Sequence, residues 1–253
     1  MACILRERCD LLNTGRTLPQ HSMQLLYEDN HLYVVNKPAP LATMGAGPGE
    51  STAFEVAVND IRRRFQKPGK VYLGVVSRLD AMVTGVLIFA RTSKAAARLS
   101  EQFRLHQARK IYLALVSPSP DIPSRQLEHW LRHNEAARRV EVTRAGATDA
   151  RKALLHYRQI ARHDQTALLE IQLQTGRKHQ IRVQLSAAGH SIAGDARYGS
   201  RLSFPRGIAL HSAATTIQHP VTRQPLTFHA PLPNSWPEWA RTLDNAGLPG
   251  NSE

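Results

Sequence analysis

Two short apolar runs, residues 71–76 and 86–90, constrain the fold more than any other stretch of the sequence. Runs of this length that are rich in β-branched residues predict buried strands. Between them lie Arg78 and Asp80, which share one face of an extended backbone because side chains two positions apart point the same way. The segment therefore predicts a carboxylate, with a cation beside it, at the rim of a hydrophobic sheet.

Asp80 has two interpretations on this evidence. In the structural one, the carboxylate bonds to its own backbone in a turn, as aspartate often does. In the functional one, the carboxylate and the neighbouring Arg78 belong to a reactive site. The segment alone favours the structural interpretation, because ion pairs that only stabilise a fold are common.

The apolar pattern of the remaining chain predicts one α+β domain without internal repeats or linkers. Strands are predicted at residues 32–36, 109–116, 149–162, 166–173, 210–217 and 225–229, and helices at 53–65, 93–106 and 175–188; residues 126–142 stay ambiguous. We expect a mixed, mainly antiparallel central sheet flanked by helices and loops. It would occupy residues 24–232, between a polar N-terminal leader at 1–23 and a C-terminal tail at 233–253.

The third predicted helix begins at Thr175, whose hydroxyl is a candidate N-terminal cap. Ile181 and Leu185 supply an apolar face, and Lys178 and Arg182, four positions apart, share a polar one.

The predicted strand at 109–116 alternates in polarity. Tyr112 lies on the face opposite Ile111 and Leu113, so if those two pack into the core, Tyr112 faces a cleft together with Lys110.

The chain carries 33 Lys and Arg against 20 Asp and Glu, a formal net charge of +13. This excess favours a polyanionic partner. Arg62, Arg63 and Arg64 end the first predicted helix, where they either complement the helix dipole or contact RNA, and the sequence does not separate the two.

Several classes of site are not expected. The only cysteines, Cys3 and Cys9, lie in the leader, which excludes a disulfide framework or a four-cysteine zinc site. His129 and His133 have the spacing of two ligands on a helix, but no third ligand is evident, so neither a metal nor a cofactor is expected. No apolar run approaches the roughly 20 residues that span a bilayer, and no signal peptide is evident, so we expect no membrane contact and a cytoplasmic location. We also expect a monomer.

Six fragments of the sequence resemble, in order, the motifs of RluA-type pseudouridine synthases. They are Asn36-Lys37-Pro38; Arg78-Leu79-Asp80 followed by Thr84-Gly85; Lys110-Ile111-Tyr112; Thr175-Gly176-Arg177-Lys178-His179-Gln180-Ile181-Arg182-Val183; Gly189-His190 with Gly194-Asp195; and Leu210-His211-Ser212. The resemblance runs from about Tyr27 to about Phe228. It implies a pseudouridine synthase catalytic domain that acts on ribosomal or transfer RNA without a cofactor, and it favours the functional interpretation of Asp80.

The resemblance also implies roles for particular residues. Asp80 matches the catalytic aspartate, Tyr112 matches the tyrosine of the site, and Arg182 matches the arginine that pairs with the catalytic carboxylate. Arg78 matches the residue that fills the space left by a flipped nucleotide, and Val183 matches an apolar contact to the base. The remaining candidates for substrate binding are Lys110, Arg177, His179 and Gln180.

The sequence departs from the family pattern beside Asp80. Ser77 stands where the family usually has histidine, and Val83-Thr84 stand where it usually has Thr-Ser, whereas the aspartate and Gly85 are retained. The 23-residue leader also leaves no room for the small RNA-binding module that often precedes this domain, so none is expected.

Two other functions remain open. One is a catalytically silent RNA-binding or ribosome-assembly protein on the same fold, which the altered residues around Asp80 allow. The other is a nuclease or glycosidase, but Glu170 and Asp195 have no clear arrangement with Asp80 that would build a two-carboxylate site.

Overall fold

The computed structural model describes residues 23–66, 68–137 and 139–245, and this part of the chain holds twelve strands and four α-helices. The strands are β1 (Gln24–Glu28), β2 (Leu32–Lys37), β3 (Gly74–Val75), β4 (Thr84–Ala90), β5 (Arg109–Ser117), β6 (Ser124–Asn134), β7 (Arg139–Thr143), β8 (Arg151–His163), β9 (Thr166–Leu173), β10 (Ser191–Ile192), β11 (Leu210–Gln218) and β12 (Pro225–His229). The helices are α1 (Ala53–Arg64), α2 (Ser93–Arg104), α3 (Gln180–Ala187) and α4 (Glu238–Asn245), and a short 3-10 turn spans Ala196–Tyr198. Of the predicted leader, all but Met23 lies outside the described residues.

All the strands belong to one sheet, whose main path runs β1-β2-β4-β11-β5-β9-β8-β6-β7. Within the described ranges, β4 and β11 run parallel and every other pair is antiparallel. The predicted α+β fold with a mixed, mainly antiparallel sheet is therefore confirmed. The domain boundaries at residues 24 and 232 stay a prediction. None of the helices in the described ranges is long and apolar enough to cross a membrane.

Strands β2 and β4 are buried on both faces. Tyr33 of β2 belongs to the same apolar cluster as Ala57 of α1, whereas its neighbour Val34 packs in a second cluster with Leu99 of α2. Helices α1 and α2 therefore cover opposite faces of the sheet. Burial on both sides explains why these strands read as continuous apolar runs in the sequence.

The first two helices begin close to where the sequence predicts. Thr52 caps α1 by accepting the N–H of Glu55 (3.2 Å), whose carboxylate accepts the N–H of Thr52 in return (2.9 Å). Thr92 caps α2 by accepting the N–H of Ala95 (3.2 Å).

The third helix begins later than predicted, at Gln180 rather than near Thr175. His179 adopts a left-handed backbone conformation (φ 53°), which a continuous right-handed helix cannot include. The hydroxyl of Thr175 bonds to the backbone of β8 (2.9 Å) instead of capping α3. Lys178 precedes the helix and is exposed, whereas Arg182 is buried at 6% exposure, so the predicted cap and shared polar face are both wrong.

The predicted strand at 71–76 is shorter than expected, because only Gly74 and Val75 pair with β4. Strand β2 occupies one edge of β4, and β11 occupies the start of the other edge. Only the end of that second edge is left for β3. Residues before and after β3 therefore form connecting segments, and the later one carries Asp80.

The ambiguous stretch at 126–142 forms the antiparallel hairpin β6–β7. His129 lies on β6 with its Nδ1 3.1 Å from the amide nitrogen of Gln184, and His133 lies on β6 with its Nε2 3.3 Å from Nζ of Lys178. Among the described residues, no group of three or more His, Cys, Asp or Glu could hold a metal ion.

Candidate active site

The loop that carries Asp80 is held by the segment that follows β2. The hydroxyl of Thr43 donates to the carbonyl of Leu79 (2.8 Å) and accepts the N–H of the same residue (3.1 Å). The N–H of Leu41 donates to the carbonyl of Ala81 (2.9 Å). Both backbone neighbours of Asp80 are therefore fixed, and its side chain, 28% exposed, lines a pocket.

A fully buried lysine supports the same loop. Nζ of Lys37 donates to the carbonyls of Pro38 (2.9 Å), Leu41 (2.8 Å) and Ala81 (3.3 Å). Burial lowers the pKa of Lys37 to about 7, against the opposing effect of the negative charge on Asp80. The three carbonyl acceptors match the three donors of an ammonium group, so the geometry favours the charged form.

The downstream end of the loop is fixed by the close approach of β4 and β11. Gly85 has a φ of 112°, and a Cβ at this position would overlap the backbone of Ser212. Next to it, the hydroxyl of Thr84 contacts Nδ1 of His211 (2.7 Å), whose Nε2 donates to the carbonyl of Ala230 (2.9 Å). His211 is fully buried, and burial lowers its pKa to about 4, so it is neutral at neutral pH.

A buried arginine meets the carboxylate of Asp80. NH1 of Arg182, from α3, lies 3.1 Å from Oδ2 of Asp80. Asp195 accepts the two other donors of the guanidinium, Nε (2.7 Å) and NH2 (2.8 Å). Burial lowers the pKa of Arg182, but the hydrogen bonds and negative charges of Asp195 and Asp80 together outweigh burial and raise it. Arg182 therefore presents a fixed positive charge to the carboxylate of Asp80.

Tyr112 lines the same pocket from β5. Burial raises the pKa of Tyr112 to about 12, although a hydrogen bond from Ser212 partly opposes the shift. The hydroxyl is therefore protonated near neutral pH, and it can move a proton only by accepting one while it releases its own.

His179 faces Asp80 from the turn that precedes α3. Its Nε2 lies 3.6 Å from Oδ2 of Asp80, and its Nδ1 lies 2.8 Å from the hydroxyl of Tyr198. Burial lowers the pKa of His179 to about 4. At neutral pH the ring is therefore an uncharged group beside the carboxylate.

The pocket combines apolar walls with charged groups at its rim. Its lining residues are Arg78, Leu79, Asp80, Val83, Tyr112, Leu173, Arg177, His179, Gln180, Ile181, Arg182 and Leu210. Arg78 and Arg177 are exposed, so their charges are accessible to a polyanion at the entrance.

Three of the predicted site residues either lie outside the pocket lining or use their polar group to bond to the protein backbone. Gln180 lines it, but its amide bonds to the carbonyl of Leu154 (3.1 Å) and to the N–H of Arg177 (3.0 Å). Lys110 lies outside the lining, with Nζ 5.3 Å from the centre of the Phe103 ring.

Val183 also lies outside the pocket. It packs in a separate apolar cluster with Leu131, Val140, Ala153 and Tyr198. Val183 is therefore not part of this pocket lining, and its contact to the base stays a prediction.

Sequence reasoning assigned no role to three residues that the structure brings to the site: Thr43, Asp195 and Tyr198. Asp195 lies in the matched pair Gly194-Asp195, and this match was the available signal. No comparable signal marks Thr43, because a single hydroxyl that bonds to a backbone 36 residues away leaves no pattern in the sequence.

Comparisons with known proteins give a consistent result. A family model described as RNA pseudouridylate synthase matches residues 31–187. Ribosomal large subunit pseudouridine synthase D of Xylella fastidiosa is 36% identical over 226 residues, which cover 83% of this chain and 66% of that protein. The protein of the same name from Zymomonas mobilis is 31% identical over 223 residues, which cover 83% of this chain and 69% of that protein. The chain thus spans about two thirds of the length of these curated relatives.

A solved structure, human RNA pseudouridylate synthase domain containing 4, is similar to this chain with a TM-score of 0.70. It is 23% identical, and the match covers 83% of this chain and 89% of that one. This similarity shows a shared fold.

Proposed function

The chain belongs to the RNA pseudouridylate synthase family, as its RluA-type motifs predict, and from this premise we propose that it isomerises specific uridines of structured RNA to pseudouridine, with Asp80 as the catalytic carboxylate. The family is one of isomerases. Ribosomal RNA is the favoured substrate, since the two bacterial relatives are named for the large ribosomal subunit, and transfer RNA is the alternative.

One observation carries the proposal: the only carboxylate in the lining of the described pocket, Asp80, faces the buried cation Arg182 at 3.1 Å. The reaction detaches a uracil from its sugar, rotates it and rejoins it through carbon. Asp80 would act at the sugar as nucleophile or as base, and either role requires the ionised form. Arg182 would stabilise that form, because a charge at short range acts strongly in a partly dry pocket.

Tyr112 and Arg78 would supply the remaining steps. The ring of Tyr112 can stack on the base, and its hydroxyl can relay the proton that leaves the base carbon after the new bond forms. The target nucleotide must leave the helical stack to enter, which costs a few kcal/mol and favours loops. Arg78, exposed at the entrance, would offset part of this cost by occupying the vacated space.

The geometry argues against a two-carboxylate hydrolase. Both oxygens of Asp195 accept hydrogen bonds from Arg182, so this carboxylate is not available to activate a water. Glu170 is buried and pairs with Arg158 (3.3 Å). A catalytically silent RNA-binding protein remains the alternative, and the presence of Asp80, Arg182 and Tyr112 in the lining of one pocket speaks against it.

The decisive experiment maps pseudouridine in cellular RNA with and without the gene for this protein. We expect specific positions that lose the modification without the gene and regain it with the purified protein on RNA from the deficient cells. Strand scission or free uracil would instead identify a hydrolase, and binding without any change would identify a silent RNA-binding protein.

We also propose that the protein acts as a monomer in the cytoplasm, where its RNA substrate would be accessible. Light scattering of the purified chain tests the first statement, and localisation of a tagged protein tests the second.

A further inference from the structure

The two carboxylate oxygens of Asp80 have different surroundings. Arg182 contacts Oδ2 at 3.1 Å, and Nε2 of His179 lies 3.6 Å from the same oxygen. Among the residues that the structure describes, none forms a hydrogen bond with Oδ1. The carboxylate is therefore held through one oxygen, and the other is available.

The protonation of His179 follows from its two neighbours. The hydroxyl oxygen of Tyr198 accepts the N–H of Val140 (3.1 Å) and lies 2.8 Å from Nδ1 of His179. If Tyr198 donates its proton to Nδ1, the ring proton resides on Nε2 and points to the anionic Asp80. The other tautomer would leave the proton of Tyr198 without this acceptor and would set the Nε2 lone pair against a negative oxygen.

Burial of His179 agrees with this assignment, because it lowers the pKa of the ring to about 4 and keeps it uncharged at neutral pH. His179 has a left-handed backbone (φ 53°) and precedes α3, so it lies outside the regular helix. The separation of 3.6 Å from Asp80 is longer than a hydrogen bond, as is common in sites without a bound substrate.

Both groups that face Oδ2 are held by one short turn. Asp195 binds Arg182, and Tyr198, three residues later, binds His179 and lies with its ring centre 5.0 Å from the guanidinium carbon of Arg182. The carbonyl of Tyr198 accepts the hydroxyls of Ser186 (2.7 Å) and Ser191 (2.9 Å), which fix the turn against α3 and β10.

We propose that this turn, residues 195–199, selects the working oxygen of Asp80. Asp195 aims Arg182, Tyr198 fixes His179 as an Nε2–H donor, and both engage Oδ2, so that Oδ1 faces the uridine. Asp195 and Tyr198 are thus positioning residues. His179 acts on the catalytic carboxylate of Asp80 and does not bind the RNA. This inference rests on the proposed function, because it takes Asp80 as the catalytic carboxylate.

A double-mutant cycle tests the coupling. Tyr198→Phe keeps the ring but removes the hydroxyl, and His179→Asn suits the left-handed backbone while removing the imidazole. We expect each to lower kcat by roughly tenfold with KM nearly unchanged, since each breaks the hydrogen bond between Tyr198 and His179 that orients the ring toward Asp80. The double variant should be no slower than His179→Asn alone, because both changes break the same chain. Losses that multiply would overturn the proposal.

A matched control separates this effect from instability. Tyr157→Phe removes a buried hydroxyl that bonds to the carbonyl of Ile122 (3.1 Å), away from the pocket, and should leave kcat unchanged in the folded protein. Thermal unfolding and RNA binding, measured for every variant, give the folded fraction. A loss of kcat in Tyr157→Phe equal to that in Tyr198→Phe would show a merely structural role.

The tautomer is tested without reference to activity. Nitrogen-15 spectra of the labelled protein at neutral pH should show His179 with its proton on Nε2, and Tyr198→Phe should shift this equilibrium. A proton on Nδ1, or an imidazolium, would overturn the proposal even in an active enzyme. Absence of pseudouridine formation by the unmodified protein, with the expected tautomer present, would contradict the proposed function instead.

Discussion

Arg182 and Asp195 form a buried ion pair with two parallel contacts, Nε to Oδ2 at 2.7 Å and NH2 to Oδ1 at 2.8 Å. This pair leaves NH1 as the guanidinium donor that reaches the pocket. A planar group held along one edge cannot rotate, so the direction of its remaining donor is fixed. The charge that faces Asp80 is therefore set in place before any RNA arrives.

Asp80→Asn should fold and bind RNA but form no pseudouridine. Asparagine preserves the size of the side chain and loses the negative charge, so it can neither attack the sugar nor accept its proton. We expect turnover to fall below detection while RNA affinity changes by less than about threefold. Appreciable residual turnover in a preparation free of wild-type protein would refute the assignment of Asp80.

Tyr112→Phe should bind RNA but fail to release the proton from the base carbon. The ring that stacks on the base is retained, whereas the hydroxyl that would relay the proton is lost. The measurement is tritium release from RNA labelled at that carbon, beside an independent binding assay. Release at the wild-type rate would exclude the hydroxyl as the relay, and loss of binding together with release would indicate a packing role.

Thr43→Val should lower kcat by more than the loss of folded protein can explain. Valine has the same shape as threonine but cannot form a hydrogen bond to the N–H or the carbonyl of Leu79. The loop that positions Asp80 would then lose two hydrogen bonds, together worth about 1–3 kcal/mol. Thr43→Ser keeps the hydroxyl and is the matched control. Equal activity of the Val and Ser variants, at equal folded fraction, would show that this contact does not position the loop.

Lys178→Gln should weaken RNA binding and reduce the slope of log affinity against log salt by about one, as expected when one phosphate contact is lost. Lys178 is exposed and lies in the chain between Arg177 and His179, which both line the pocket. The control is Lys152→Gln, which should leave the slope unchanged because this lysine already pairs with Glu128 (2.7 Å). An identical slope for Lys178→Gln and the unmodified protein would place the phosphate contacts elsewhere.

The acid sensitivity of folding should depend on His211. Its pKa is about 4 in the folded protein and near 6.5 when exposed on unfolding, so between these values the unfolded state binds the extra proton. The contribution of His211 to the free energy of unfolding should therefore be fully present above pH 6.5 and should fall as the pH drops toward 4. Denaturant unfolding across this range should show a shallower decline in His211→Gln. The exposed His106, replaced by asparagine, should leave the decline unchanged.

The sequence predicted the parts of the fold that depend on local pattern. Strands β2 and β4 were recognised because both of their faces are buried, which leaves a short, continuous apolar run in the sequence of each. The start of α3 was missed because it depends on the left-handed backbone of His179, and the polarity pattern of the neighbouring residues does not mark that conformation.

The same distinction holds for the site. Asp80, Tyr112 and Arg182 were identified through matched motifs, each of which is contiguous in sequence. The ion pair of Arg182 with Asp195 was missed because the two residues are 13 positions apart and lie on different elements. The spacing of Lys178 and Arg182 instead resembled the exposed face of a helix. Arg64 shows the reverse case: proposed as an RNA contact or a helix-dipole partner, it forms ion pairs with Glu28 (2.6 Å) and Asp60 (2.8 Å) in the fold.

The parallel pairing of β4 with β11 has a consequence for the order of folding. It joins Thr84 to His211 across 127 positions of the chain, and the loop-closure entropy of that distance opposes the contact until most of the sheet has formed. Helices such as α2 can form early from local interactions, whereas the pocket around Asp80 cannot. During refolding from denaturant, enzymatic activity should therefore return with the slowest cooperative phase and lag behind the recovery of helical signal.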